Sequence, residues 1–313
     1  MRYILIYTVT FNPALDVSGV VDDLIPDEKN YVYDEIHMPG GNGLNAGIIA
    51  HRLKREVILT GFLGGNNGKE VKRLLDKDKM THNFIEISGM TRMNLTIANR
   101  GDHRQTRLSF PGPLIRVPEA RQLEALLHKV SARDILLFGG SLPPGLSKTY
   151  VQKLIKKFRS HGVRCLVDMP GDLLKDIIKV KPSFIKPNLT EFQLLVGKKV
   201  NSLNGVVHAA RKILDHVPVI CVSSVEGGAI LMSEHEVWYG KIPSVKIRST
   251  VGAGDSLVGA MACLWDINPS SSIEELLRLG LSASCATLTE PGLKLGSRKS
   301  ILKYQSQIKL KKL

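Results

Sequence analysis

The stretch Ser249-Thr250-Val251-Gly252-Ala253-Gly254-Asp255-Ser256 sets small residues and one acid directly ahead of the apolar helical run Leu257-Val258-Gly259-Ala260. Glycine lets backbone N–H groups come close to a ligand, and a helix start leaves several such donors unpaired with the positive end of the dipole behind them. The segment therefore predicts an anion site. A carboxylate beside those donors repels a resting phosphate, so Asp255 needs a further reason. Phosphoryl transfer supplies one: the acid takes a proton from an attacking hydroxyl while residues 252–254 donate to charge gathering on the transferred oxygens. On this reading Asp255, Gly252, Ala253 and Gly254 are the catalytic residues. A plainer reading, an acid placed in the first turn to suit the helix dipole, accounts for Asp255 without any chemistry.

A site of this kind needs a rigid frame. Apolar runs at 3–9, 57–62, 134–139, 163–168, 183–188 and 217–223 read as strands, and amphipathic segments at 68–79, 118–131, 147–161 and 205–216 read as helices between them. Near-continuous apolar strands alternating with helices predict a doubly wound, mostly parallel α/β sheet covered on both faces. Residues 16–38 and 91–110 break the alternation with period-two patterning and turn signals. They predict a small antiparallel β-lid inserted into one domain that spans 1–313, able to close over a ligand or to pair with a second copy. Ligands of such sheets bind beyond the carboxyl ends of the strands. Asn12, Asp16, Ser141, Asp168, Lys186, Asn188 and Ser223 fall at those transitions.

Three other motifs fail on their context. Gly41-Asn42-Gly43-Leu44-Asn45-Ala46 has the relaxed dinucleotide spacing, but no strand leads directly into it and no acid ends the following strand. Gly64-Gly65-Asn66-Asn67-Gly68-Lys69-Glu70 lacks P-loop spacing and has Glu70 where a Ser or Thr is required, so it reads as a turn into a helix. Gly139-Gly140-Ser141-Leu142-Pro143 has proline where the nucleophile elbow needs glycine.

Composition agrees with an ordinary soluble globular protein. The 313 residues are 43% hydrophobic and 23% charged, and no apolar run reaches the roughly 20 residues of a membrane span. With no signal-peptide pattern at the start, the expectation is a cytoplasmic protein. Cys165, Cys221, Cys263 and Cys285 are far apart and lack metal-ligand spacing, which predicts reduced core residues. The net charge of +14 comes from scattered Lys and Arg with only 5% aromatics. That pattern favours small anionic substrates over nucleic acid. The basic Lys309-Leu310-Lys311-Lys312-Leu313 end reads as a solvated helix terminus.

Several motifs together resemble the PfkB sugar kinases of the ribokinase-like superfamily, in order over essentially the whole chain. Thr250-Val251-Gly252-Ala253-Gly254-Asp255-Ser256 resembles the C-terminal signature of that family, and Pro39-Gly40-Gly41-Asn42-Gly43-Leu44-Asn45 its N-terminal signature. Asn188-Leu189-Thr190-Glu191 matches its Asn-x-x-Glu motif. The segments Thr10-Phe11-Asn12-Pro13-Ala14-Leu15-Asp16, Thr91-Arg92-Met93-Asn94-Leu95 and Gly140-Ser141-Leu142-Pro143-Pro144-Gly145 are similar to the branch that acts on phosphorylated hexoses.

The resemblance implies a ribokinase-like fold and an ATP- and Mg²⁺-dependent phosphohexokinase, with Asp255 as general base. Asn188 and Glu191 would act through Mg²⁺ and its waters, a use of hard oxygen ligands, and they also read as an N-cap and its capping-box acid. Lys186, Ser223, Gly228 and Thr250 would serve the nucleotide. Asp16, Gly41 and Asn45 would bind sugar hydroxyls, joined by Ser141, and Arg92 would reach a phosphate already on the sugar, with Lys29 and Arg107 either joining it there or standing on a solvated lid face. Fructose 6-phosphate is the first expectation, with fructose 1-phosphate and tagatose 6-phosphate as alternatives. An unphosphorylated sugar or nucleoside, or a silent sugar-phosphate sensor, is a further rival. Relatives use a monovalent cation in addition, for which no residue is assigned, and a homodimer through the β-lid is expected. The family turn Ser/Thr-x-Gly-x-x-Gly is here Ser223-Ser224-Val225-Glu226-Gly227-Gly228; valine at the first glycine position disfavours positive φ and is expected to add bulk beside the nucleotide.

Overall fold

The computed structural model describes residues 4–102 and 104–313. Residues 1–3 and His103 lie outside it, and with them the first residue of the expected opening strand and one residue of the second lid segment.

The strands, in chain order, are β1 (Ile6–Thr10), β2 (Ala14–Val21), β3 (Tyr33–Gly40), β4 (Val57–Leu63), β5 (Ile85–Glu86), β6 (Arg92–Asn99), β7 (Gln105–Ser109), β8 (Ile135–Gly139), β9 (Arg164–Asp168), β10 (Phe184–Ile185), β11 (Val219–Val225), β12 (Gly228–Ser233), β13 (Val237–Lys241) and β14 (Lys309–Lys312). The helices are α1 (Asn42–Arg52), α2 (Gly65–Lys77), α3 (Val117–Leu127), α4 (Lys148–Ser160), α5 (Gly171–Ile177), α6 (Leu189–Val196), α7 (Leu203–Leu214), α8 (Ala253–Ile267), α9 (Ile273–Leu288) and α10 (Arg298–Gln305).

Ten strands form one sheet in the order β14-β13-β12-β11-β10-β9-β8-β1-β4-β5. From β11 to β5 neighbouring strands are parallel, and β12, β13 and β14 extend the sheet antiparallel. The parallel strands are mostly apolar because successive side chains feed cores on opposite faces. In β1, Ile6 enters the core containing Leu44, Ile49, Leu257 and Leu277. Tyr7 and Val9 enter the one containing Leu123, Leu154, Phe158 and Ile213. Helices α1, α2, α8, α9 and α10 thus cover one face and α3, α4 and α7 the other, which is the doubly wound arrangement expected.

Two expectations change. The lid is a four-stranded sheet, β3-β2-β6-β7, but β2 and β6 run parallel while the outer pairs are antiparallel. Its two halves come from separate chain segments joined through α1, β4, α2 and β5, so no tight hairpin forces the central pair to be antiparallel. The basic C-terminus is strand β14, not a helix end, and pairs with β13 from Trp238↔Lys312 to Lys241↔Lys309. Alternation of Ile308, Lys309, Leu310 and Lys311 suits a strand, and exposed lysines on an edge oppose further strand addition. The four cysteines are free and buried. Among the described residues no helix is long and apolar enough to cross a membrane.

Candidate active site

The turn into α8 begins at Gly252, whose φ of 75° is left-handed. A side chain there is excluded twice over: the backbone favours glycine, and a Cβ would lie 2.4 Å from Leu295 Cδ2. No side chain caps α8, so the N–H groups of its first turn are left to a ligand. Ser256 anchors the turn from behind. Its hydroxyl donates to the Gly252 carbonyl at 2.8 Å and shares a hydrogen bond with Thr287 Oγ1 at 2.7 Å.

Asp255 projects from this first turn and accepts a hydrogen bond from Asn45 Nδ2 at 2.8 Å. Among the described residues it is in no ion pair. Burial pushes its carboxyl up to about 6, with Asp168 and Asp16 acting in the same direction and Asn45 and Lys186 opposing. A base with that affinity sits near neutral pH, where a proton acceptor is both ionised and able to hold the proton it takes.

The lysine that would have neutralised Asp255 is engaged elsewhere. Lys186, after β10, pairs with Asp168 at the end of β9 at 3.0 Å, both side chains almost fully buried. Burial alone would lower the affinity of the Lys186 amine for its proton, but Asp168, Glu191 and Asp255 together hold it above the ordinary lysine value. It is therefore a fixed cation, and it lies against the turn: a Cβ at Gly254 would sit 3.3 Å from Lys186 Nζ. Two residues on, Asn188 caps α6. Its Oδ1 accepts from Glu191 N at 2.9 Å, and Asn188 N donates to Glu191 Oε2 at 2.8 Å. The capping box expected from the sequence is thus present, and it fixes a half-buried carboxylate beside Lys186. Burial raises the Glu191 carboxyl, against the Asn188 N–H and Lys186.

The lid supplies the opposite wall. The pairings Asp16↔Asn94, Asn94↔Ser109 and Thr96↔Arg107 place Asp16, Arg92, Asn94, Arg107 and Ser109 on one face of the four strands. Asp16 accepts from Asn94 Nδ2 at 2.7 Å, and burial raises its carboxyl above the ordinary value against Asn94, Arg92 and Arg107. Arg92 is held by main-chain carbonyls: Nε and Nη2 donate to Asn12 O at 3.2 and 3.0 Å, and Nη1 to Phe110 O at 3.0 Å. Among the described residues no carboxylate hydrogen-bonds it, so its charge is left for something else.

These walls enclose a cleft of about 650 Å³ whose lining includes Asp16, Gly41, Asn45, Arg92, Arg107, Lys186, Asn188, Glu191, Ser223, Gly228, Thr250, Gly252, Ala253, Gly254 and Asp255. Two expected residues are not in it. Lys29 is exposed on the loop between β2 and β3, with its amine 4.9 Å from the Tyr31 ring centre. Ser141 lies to one side, its hydroxyl accepting from Asn12 Nδ2 at 3.2 Å. The lining also contains residues for which the sequence reading proposed no binding role, Asn42, Asn94, Ser109 and Ser224 among them. Strand register was the available signal for Asn94 and Ser109, because both follow by period two from Arg92 and Arg107.

Val225, expected to add bulk beside the nucleotide, is instead buried in the core under the sheet and does not line the cleft. A bulge between Ser223 and Val225 shifts the turn, so left-handed φ falls on Ser224 (61°), Glu226 (46°) and Gly227 (77°) instead.

Among the described residues no group of three His, Cys, Asp or Glu is arranged to hold a metal. Mg²⁺ usually takes one or two carboxylates and completes its shell with phosphate oxygens and water. Glu191, with Oε2 in the capping box and Oε1 outside it, fits such a role.

Residues 9–299 match the model of the pfkB family of carbohydrate kinases. ATP-dependent 6-phosphofructokinase isozyme 2 of Escherichia coli (strain K12) is 32% identical over 296 residues, 93% of this chain and 95% of that protein. The 1-phosphofructokinase of Vibrio cholerae serotype O1 is 29% identical over 307 residues, 97% of this chain and 96% of that one. The solved structure of phosphofructokinase-2 from Escherichia coli in complex with substrates and products superposes with a TM-score of 0.92 at 29% identity, over 98% of this chain and 99% of that one. With the family model matched from residue 9 to residue 299, the chain belongs to the pfkB family of carbohydrate kinases, phosphotransferases that use ATP and a divalent metal to phosphorylate an alcohol.

Proposed function

We propose that this kinase phosphorylates a hexose phosphate, with fructose 6-phosphate as its acceptor and fructose 1,6-bisphosphate as its product. The observation that carries the reading is the presence, in one cleft, of Asp255 at the start of α8 and of Arg92 and Arg107 on the lid. A guanidinium presents a planar fork of donors that matches phosphate oxygens, and an acceptor already bearing a phosphate gives those charges a partner. Fructose 1-phosphate and tagatose 6-phosphate offer the same charge and remain the alternatives.

The sugar lies between the lid and α1. Asp16 and Asn94 bind its hydroxyls, and Gly41 lets the backbone approach. Asn45 orients Asp255 so that its other carboxylate oxygen accepts the proton of the acceptor hydroxyl as the hydroxyl oxygen attacks the terminal phosphorus of ATP and the bond to the departing ADP breaks. The N–H groups of 252–254 and the Lys186 amine stabilise charge on the transferred group. Asn188 and Glu191 would hold Mg²⁺ through water, and the ion would supply screening of the phosphate charges of ATP. Closure of the lid excludes water, which would otherwise compete as acceptor.

The raised Asp255 carboxyl sets the pH dependence. Below about 6 it is protonated and cannot accept a proton; above it the base is available. The acid limb of kcat/KM is therefore expected to fall by about tenfold per pH unit below pH 6, measured with a coupled assay at fixed free Mg²⁺. A limb that breaks near pH 4 instead would remove the environment assigned to Asp255.

We also infer a homodimer through the lid. Tyr31, Val32, Tyr33, Ile36, Leu108 and Phe110 are exposed there, more apolar surface than a lid acting alone requires. Light scattering at micromolar protein is expected to give twice the mass of the chain; a monomer throughout would refute this assembly.

A further inference from the structure

Behind α1, at the opposite end of that helix from Asn45, lies a second and larger cleft of about 800 Å³. Arg52, Lys54, Lys77, Lys294 and Arg298 line it, against only Asp78 and Glu290 as acids. Among the described residues none of the side chains of Lys54, Lys77, Lys294 and Arg298 is in an ion pair. Helix dipoles explain part of this set, since Arg52 and Lys77 close the last turns of α1 and α2, where cations are favoured.

Lys54 ends α1 as well: its left-handed φ of 67° is that of a C-terminal cap, with Lys54 N donating to His51 O and Arg55 N to Ala50 O. Two cations are left over. Lys294 is in the loop before α10. Arg298 is the first residue of α10, where the dipole disfavours a cation, and no acid stands in that turn. Like charges gathered in a concave surface raise the local potential and cost stability until an anion enters.

The cleft is also connected to the catalytic turn. Arg52 Nη1 donates to Leu295 O at 2.6 Å and Gly296 O at 3.1 Å. The Leu295 side chain is the one that packs over Gly252. Gly296 N donates to Thr287 Oγ1 at 2.9 Å, and that hydroxyl is the partner of Ser256 next to Asp255. A ligand drawing on the Arg52 charge thus acts on both contacts that hold the start of α8.

We propose that this cleft is an effector site for a small anion carrying a diphosphate group, and that Arg52, through Leu295 and Gly296, transmits its occupancy to the phosphate-binding turn. Its volume lies in the range of small-molecule sites, and the charge excess matches a diphosphate. Binding at the cleft does not depend on the sugar-phosphate reading, so a failure here is read by calorimetry and a failure there by acceptor kinetics.

The test is calorimetric titration of the enzyme, presaturated with Mg²⁺ and a non-hydrolysable ATP analogue, with inorganic pyrophosphate and, separately, with ADP. One further equivalent is expected to bind. Equal binding of the two means that the diphosphate alone is read; binding of ADP only means that a nucleotide is the source, and both outcomes support the site. The variant Lys54→Glu/Lys294→Glu is expected to weaken binding by about tenfold or more while keeping the wild-type melting temperature and basal turnover. In the wild type, pyrophosphate at constant free Mg²⁺ is expected to shift the KM for the acceptor by about fivefold, and in the variant not at all. No binding of either anion, binding unchanged in the variant, or a KM indifferent to a bound anion overturns the proposal.

Discussion

Replacing Asp255 by Asn is expected to lower kcat by about 10³- to 10⁴-fold, the upper part of the range for loss of a positioned base, with the KM for acceptor and ATP little changed. Asparagine keeps the size of the side chain, and its Oδ1 still accepts from Asn45 Nδ2, the contact that orients Asp255. What it loses is the ability to hold a proton. Because that interaction develops only in the transition state, kcat and kcat/KM are expected to fall together. Single-turnover measurements with saturating ATP check this. Turnover within tenfold of wild type would reduce Asp255 to an acid that merely suits the dipole of α8.

Arg92→Ala is expected to raise the KM for a sugar phosphate by about 30- to 150-fold, or roughly 2–3 kcal/mol, the lower part of the range for truncating one partner of a hydrogen-bonded charge pair. The lower part applies because the Arg92 guanidinium is half-buried and the cleft is open to water. Burial lowers its proton affinity somewhat, with Asp16 opposing, yet a guanidinium stays charged at any working pH. Since Arg92 also ties Asn12 O to Phe110 O, a melting curve must accompany the kinetics. Arg92→Lys separates the two roles: it restores charge without the planar fork, so a partial recovery of KM is expected. A KM for ATP that stays constant, beside one for sugar phosphate that rises, places Arg92 on the acceptor. An unchanged acceptor KM would favour an unphosphorylated sugar or nucleoside.

Much of this site was legible in the sequence because its parts depend on local chemistry. The glycine-rich start of α8, the capping box of Asn188 and Glu191, and the polar residues ending β1, β9 and β10 are all short-range signals. The doubly wound core followed from apolar strands alternating with helices. What stayed hidden depends on distant parts of the chain. The pairing of Lys186 with Asp168, which spares Asp255 an ion pair, joins the ends of two neighbouring strands. The lid's parallel centre arises from register between residues 14–21 and 92–99, which neither segment encodes alone. Val225 misled because the family spacing assigns it a turn position, whereas a bulge in β11 moves the left-handed residues to its neighbours and turns the valine into the core. Lys29, offered to the phosphate because it lies on the first lid segment, stands outside the cleft.

The most direct measurement of the central claim is kcat/KM with ATP for a set of acceptors: fructose 6-phosphate, fructose 1-phosphate, tagatose 6-phosphate, fructose, ribose and adenosine. The cleft formed by Asp255 and the lid arginines predicts fructose 6-phosphate as the best of them, with every unphosphorylated acceptor at least about a hundredfold worse, as befits the loss of a charge-paired phosphate. A free sugar or a nucleoside that matched or exceeded the hexose phosphates would contradict it.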